Sequence, residues 1–298
     1  MVKGYCLYAK KYWHRTWLAG LCYCFVTASL WMLAAGKAMA GDGKLIATAG
    51  LQQVEGAGGG GLVPWATLSD HDTRAQTSGS VFMSRLPLPD FTLTAYGASL
   101  SLYDRVELSV ARQEFDIASL GEQLAQQIVG VKVRLYGDLV YSRWPQLSAG
   151  VQYKNTQYPL IPQTLGVQKM SGTDAYIAAT KVHLNAIAGR NLIWNTTMSY
   201  TDANQFGLLG FGNANGHQRR FQFQGSIAVL LTRQLAIGFE YREKPNNLPL
   251  PEDNALDVFV TYIPSKYFNI TAAWVDLGRI AGQSDQQGWY FSLGGQLW

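Results

Sequence analysis

The chain has 298 residues, 48% of them hydrophobic, and a mean hydropathy of −0.03, which excludes a bundle of transmembrane helices but not a wall of alternating strands. Its formal charge of +4 sits at one end: Lys3, Lys10, Lys11, Arg15 and Lys37 fall in residues 1–40 with no acid, leaving 24 − 5 = 19 basic residues against 20 acidic ones. A nearly neutral body offers nothing to a nucleic-acid partner.

The first 40 residues read as a signal peptide. Lys10, Lys11 and Arg15 precede an apolar run from Trp17 to Ala35, and Ala38-Met39-Ala40 supplies the small-x-small pattern of a cleavage site before Gly41. The run is about as long as a spanning helix, so an uncleaved anchor is the alternative. Leu21 stands where a lipoprotein signal wants Gly or Ala before Cys22. All three cysteines, Cys6, Cys22 and Cys24, lie in this leader, so residues 41–298 have no disulfide and no thiolate metal site.

Residues 41–90 form a Gly-rich N-terminal part. Lys44–Gln53 has the alternation of a strand. The stretch Glu55, Gly56, Ala57, Gly58, Gly59, Gly60, Gly61, Leu62, Val63, Pro64, Trp65 matches a dinucleotide fingerprint only literally, because Pro64 and Trp65 follow where a helix must open. It reads as a glycine turn or a place where backbone packs close, the inside of a lumen being one such place. Leu62–Ser69 and Ser80–Ser84 fit either strands or chain folded inward. Ser69-Asp70-His71-Asp72 is the nearest thing to a hydrolytic group, but adjacent residues on a strand point to opposite faces. A non-enzyme is expected, with no catalytic, cofactor or metal residues.

From Phe91 onward the period is two. Phe91–Leu102 and Val106–Phe115 flank Tyr103-Asp104-Arg105. Val129, Val131, Val133 and Leu135 alternate with Lys132 and Arg134. Leu147, Ala149, Val151 and Tyr153 alternate with Gln152 and Lys154. Tyr176, Ala178, Thr180, Val182 and Leu184 alternate with Lys181 and His183. Leu192, Trp194, Met198 and Tyr200 alternate with Asn195, Thr197 and Ser199. Phe221 to Leu231 and Leu235 to Tyr241 form a hairpin across Thr232-Arg233, with Glu240 and Arg242 on its polar side. Leu256, Val258, Val260 and Tyr262 alternate with Asp257 and Thr261. Phe268 to Trp274 and Trp289 to Leu297 complete the series.

Short connections (Tyr103–Arg105, Ser142–Pro145, Thr232–Arg233, Pro264–Lys266) alternate with longer ones (Asp116–Gln127, Thr156–Gly172, Asp202–His217, Glu243–Asn254, Gly278–Gln287). Leu120–Gln127 fits one short helix inside its loop. Aromatic residues cluster near strand ends, among them Tyr103, Trp144, Tyr200, Tyr267, Trp274 and Trp289, as rings with a polar tip do at two membrane interfaces. These features predict an all-β fold: an antiparallel transmembrane up-and-down β-barrel of 12–14 strands in residues 41–298. An even strand number puts both ends in the periplasm of a Gram-negative bacterium. The predicted lumen face carries Lys132, Arg134, Lys154, Lys181, His183, Glu240, Arg242 and Asp257. Such paired charges either select small polar or ionic solutes or simply brace the lumen.

Gly288-Trp289-Tyr290-Phe291-Ser292-Leu293-Gly294-Gly295-Gln296-Leu297-Trp298 looks like the terminal strand that outer-membrane assembly machinery recognises, with Phe291 and Trp298 as its signal; Trp298 is one step out of phase with Phe291. Together with Gln53-Val54-Glu55-Gly56-Ala57-Gly58-Gly59-Gly60-Gly61-Leu62-Val63-Pro64-Trp65-Ala66, this ending resembles the domain of unknown function 3034 family of proteobacterial outer-membrane proteins. The resemblance covers nearly the whole mature chain. It implies a barrel in the outer membrane and carries over no substrate and no catalytic residue. The expected function is a porin-like channel for small polar or ionic solutes, in contact with outer-membrane lipid. The alternatives are a non-conducting structural or assembly-partner barrel and, more remotely, an outer-membrane hydrolase.

Overall fold

The computed structural model describes residues 50–297 apart from 71, 72, 119, 159, 168 and 217. The expected signal peptide with its expected cleavage site and the three cysteines, most of the Lys44–Gln53 stretch, His71, Asp72, His217 and Trp298 lie outside the described residues.

Two residue pairs, β1 (Leu51–Gln52) and β2 (Gly58–Gly59), form a small hairpin. Twelve strands then follow: β3 (Thr77–Pro87), β4 (Phe91–Leu102), β5 (Val106–Ile117), β6 (Glu122–Tyr136), β7 (Gln146–Gln157), β8 (Ser171–Ile187), β9 (Arg190–Thr201), β10 (Arg220–Leu230), β11 (Leu235–Arg242), β12 (Ala255–Ser265), β13 (Phe268–Asp276) and β14 (Gln287–Gln296). Each pairs antiparallel with the next, and β14 pairs with β3 through Phe291↔Arg85 and Leu293↔Met83, so the sheet closes as a barrel. Closure leaves no unpaired edge, the condition a sheet must meet inside hydrocarbon. No described helix is long and apolar enough to cross a membrane.

The alternation sorts side chains to two faces. Phe223, Ile237 and Val258 are 41%, 39% and 50% exposed, while Gln224, Glu240 and Asp257, on the same strands but of opposite phase, are buried. Among the described residues no other sheet covers this apolar row: the only one besides the barrel, the β1–β2 hairpin, is made of buried and half-buried residues. Exposed aliphatic and aromatic side chains run round the wall from Val81 and Met83 through Val129, Val151 and Ile177 to Phe291 and Leu293. A belt of this kind is stable only against lipid. Trp274 and Trp289 meet edge-on at 5.3 Å near one end of the barrel, and Tyr103, Trp144 and Tyr267 stand exposed at the other.

One end carries the turns 103–105, 137–145, 188–189, 231–234 and 266–267. The other carries 88–90, 118–121 and the longer loops 158–170, 202–219, 243–254 and 277–286. We call these the short-turn and long-loop ends. The five-residue helix α1 (Leu160–Thr164) and a 3₁₀ turn, Asn204–Gly207, belong to the long loops.

Several expectations need correction. Leu120–Gln127 is not helical: β6 begins at Glu122, which pairs with Ile117 across a four-residue turn. Here the polarity is inverted, with Leu124 and Ile128 buried inward and Gln123 and Gln127 outward, and an apolar residue every fourth position imitates a helix face. The turn written as Ser142–Pro145 spans 137–145. Leu62–Ser69 is folded chain, not strand, whereas Ser80–Ser84 lies inside β3. On β8 the phase is reversed: Tyr176, Ala178, Thr180 and Val182 are buried inward, so Lys181 and His183 face outward. Both rows of β8 are rich in alanine and β-branched residues, so apolarity did not distinguish lumen from lipid. His183 accepts from the outward Trp194 indole at 3.0 Å, and Lys181 donates to carbonyls of the 137–145 turn, those of Val140 and Ser142 among them.

Candidate functional site: a lumen filled by residues 50–70

Every residue from 50 to 70 is buried except the half-buried Leu51. The segment is compact through its own backbone bonds, among them Gln53 N–H to Ala57 O (3.0 Å) and Gly60 N–H to Val63 O (3.0 Å). Its hydrogen-bond partners come from eight consecutive strands, β4 to β11, so it lies across the lumen as a plug.

Glycine is required where the plug turns or meets the wall. Gly56 has φ +92°, and its missing Cβ would lie 2.9 Å from that of Ala111. At Gly60 a Cβ would fall 1.9 Å from Glu240 Oε1.

The wall charges are committed to this segment. Glu107 on β5 accepts from the amides of Gly58 (2.9 Å) and Ser69 (2.8 Å). Lys132 on β6 donates to the carbonyls of Gly58 (2.6 Å) and Thr67 (2.9 Å), and lies 3.3 Å from Glu107. Glu240 on β11 accepts from the Leu62 amide (2.7 Å) and the Trp65 indole (3.1 Å), and Ser226 accepts from the same indole at 2.9 Å. Arg242 donates to the Leu62 carbonyl (2.7 Å) and to both oxygens of Glu55 (3.0 Å each). Lys154 on β7 pairs with Glu55 and with Asp174 of β8 at 2.7 Å. Uncharged groups finish the collar: Thr180 accepts from Ala66 N–H (2.8 Å), Ser148 donates to Ala66 O (2.6 Å) and Thr197 to Pro64 O (2.6 Å). Bonds to charged groups in a water-poor interior contribute roughly 1.5–3 kcal/mol each, which offsets much of the entropy lost in ordering the segment.

Of the predicted lumen residues, Lys132, Lys154, Glu240, Arg242 and Asp257 face inward and are buried. Arg134 lies at the short-turn rim, paired with Asp104 and Asp138, and Lys181 and His183 are outside the lumen. Of the glycine motif, Glu55, Gly56, Gly58, Gly59, Gly60, Gly61, Pro64 and Trp65 all belong to the plug, whereas Phe291 faces lipid, 54% exposed. Sequence reasoning missed Glu107 and Asp174. Glu107 carried a usable signal, an acid between Val106 and Leu108 in a strand of otherwise clear phase. Asp257 is the register neighbour of Glu240, and its Oδ1 makes no hydrogen bond. Ser69 is buried with its hydroxyl 2.5 Å from that of Ser99, a poor position for a nucleophile that must meet a substrate. Among the described residues no group of three or more His, Cys, Asp or Glu could hold a metal ion.

Between plug and wall a cavity of about 20 Å³, lined by Glu55, Pro64, Gln152, Asp174, Tyr176 and Arg242 among others, has room for about one water.

The chain matches the family described as "Protein of unknown function (DUF3034)" over residues 48–294. It belongs to that family. The matched span takes in the plug and all twelve barrel strands, so plug and barrel are one family unit. No curated protein matches the chain. Solved structures similar to it include the Acinetobacter baumannii outer membrane protein Omp33, at 11% identity over 74% of this chain and 98% of that one, with a TM-score of 0.45. The KdgM porin matches at 10% identity over 73% and 97%, TM-score 0.44, and the NanC porin at 10% over 72% and 97%, TM-score 0.45. At such identities none lends a residue role to this chain.

Proposed function

We propose that this is a porin-like barrel of the Gram-negative outer membrane, held shut by its own residues 50–70, and that small polar or ionic solutes pass only when that segment leaves the lumen. The observation that carries this reading is the double use of the wall charges. Lys132, Glu107, Glu240, Arg242 and Lys154 would line an aqueous pore, but each is bonded to the plug or to a partner that is. The signal peptide of residues 1–40, the assembly machinery reading the last strand, and outer-membrane lipid as surroundings belong to the same proposal.

Planar-bilayer recording tests it. Wild-type protein should give a nearly silent bilayer with brief openings. Gly60→Val, which drives carbon into Glu240, should raise open time while the barrel stays folded. Sustained pore conductance from the wild type contradicts the closed reading. A folded Gly60→Val barrel whose plug is cut by added protease yet which never conducts contradicts the channel, and leaves the non-conducting structural barrel.

A further inference from the structure

The short-turn end is ringed by basic side chains. Arg74 lies on the chain leading into β3, Arg105 in the β4–β5 turn, Arg143 in the β6–β7 turn, Arg190 at the start of β9, Arg233 in the β10–β11 turn and Lys266 in the β12–β13 turn. Every short connection thus contains or adjoins one. Among the described residues, the acids in the turns at this end, Asp104 and Asp138, are both engaged by Arg134. Arg74, Arg105, Arg143, Arg190 and Arg233 are exposed, and among the described residues none is ion-paired. These five arginines hold like charge round one rim with no ion pair among the described residues.

A pocket of about 210 Å³ opens in this rim, lined by Arg74, Asp104, Arg105, Arg134, Leu135 and Tyr136. Leu135 and Tyr136 are 53% and 59% exposed and continue the lipid-facing row of β6. The pocket therefore has the exposed Arg74 and Arg105 guanidiniums beside the Arg134–Asp104 pair on one side and an apolar wall running down into the bilayer on the other. Arginine forks fit phosphate oxygens with paired hydrogen bonds.

We propose that this rim binds the phosphate headgroups of anionic phospholipids in the leaflet it faces, with Arg74 and Arg105 at the pocket mouth as the defined site. The basic residues recur at every turn, and Tyr103, Trp144 and Tyr267 stand exposed beside three of them at the level where rings meet headgroups. Lipid touches the whole circumference, whereas an acidic protein partner would need charge on one sector only. The inference rests on the barrel's placement in a membrane and is independent of whether the lumen conducts.

Native mass spectrometry of the intact barrel, extracted from vesicles of equal phosphatidylglycerol and phosphatidylcholine, tests it. Phosphatidylglycerol should be retained in preference, by about fivefold for each arginine engaged, and the preference should collapse at ~1 M salt, where screening acts within ~3 Å. Arg74→Gln with Arg105→Gln should bring retention toward parity, and Arg74→Lys with Arg105→Lys should restore much of it. Arg105→Gln alone gives the partial effect should the double variant fail to fold. Equal retention of both lipids by the wild type overturns the proposal. So does displacement of phosphatidylglycerol by millimolar inorganic phosphate, which marks a free-phosphate site, or by an acidic peptide at similar concentration, which marks a protein-docking rim.

Discussion

At the scale of single residues, the plug depends most on Glu55. Its carboxylate is the shared partner of Arg242 and Lys154, and all three are buried. Glu55→Gln keeps the shape and removes the charge. Lys154 retains Asp174, but Arg242 is left with a carbonyl and the face of Phe206, 4.2 Å from the ring centre. Breaking a buried pair from one side costs about 3–5 kcal/mol, so the segment 50–70 should open far more often. Limited proteolysis of the folded barrel reads this directly: cleavage within the segment should rise steeply in Glu55→Gln, and an unchanged rate would show that the ion pairs do not hold it. Glu55 was legible only as part of a glycine motif. The motif announced a close approach of backbone to something; it could not show that the surface approached was the inner wall of the same chain. Gly60→Ala makes the same point by sterics, since overpacking costs roughly 1–3 kcal/mol, and its melting temperature should drop while Gly121→Ala, whose Cβ would meet nothing within 4 Å, is affected only through its φ of +63°.

At the scale of elements, the loop 243–254 closes the long-loop end over the plug. Lys244 is buried and donates to Gln205 Oε1 (2.8 Å) and the Leu277 carbonyl (2.8 Å), while Glu252 accepts from Gln205 N–H at 3.2 Å. Burial pushes the Glu252 carboxyl up to about 7 against the pull of Lys244, and burial pushes Lys244 down to about 8. Glu252 binds more protons folded than unfolded between 4.5 and about 7, so closure weakens as pH rises through that window, by on the order of 3 kcal/mol at most. Lys244 binds fewer protons folded between about 8 and 10.5, so closure strengthens as pH rises there. The loop should be loosest between pH about 7 and about 8. A nitroxide on Pro249→Cys should show a mobility maximum in that interval, and Glu252→Gln should flatten the acid side alone; a profile flat in both proteins rules the pair out. Elements differed in how readable they were for a physical reason. Strands such as β10 and β12 have one polar and one apolar row, so both their existence and their phase follow from alternation. In β8 both rows are mixed, and the upper part of β6 carries leucine and isoleucine into an apolar sector of the lumen around the Phe91–Phe115 stack (4.8 Å), so the rule that polar means inward fails there.

At the scale of the whole molecule, the twelve-strand wall and the 50–70 segment share one set of charges, and under the proposed function the open pore is the wall without its occupant. Stripped of Glu55, the wall presents Lys132, Lys154 and Arg242 against Glu107, Asp174, Glu240 and Asp257. Glu107 and Lys132 neutralise each other at 3.3 Å, as do Asp174 and Lys154 at 2.7 Å. What remains unbalanced is Arg242 against the neighbouring carboxyls Glu240 and Asp257, an acidic excess at mid-wall. A lumen of this width lets a local carboxyl pair act on every passing ion, so a barrel lacking residues 50–70 should be weakly cation-selective. Reversal potentials across a potassium chloride gradient measure it, and Glu240→Gln with Asp257→Asn should move the pore toward anions by exposing Arg242. The sign is diagnostic. An anion-selective deletion barrel would mean that the basic short-turn rim, not the mid-wall carboxyls, sets the potential an ion meets, and the charges that seat the plug would then have no second role in transport.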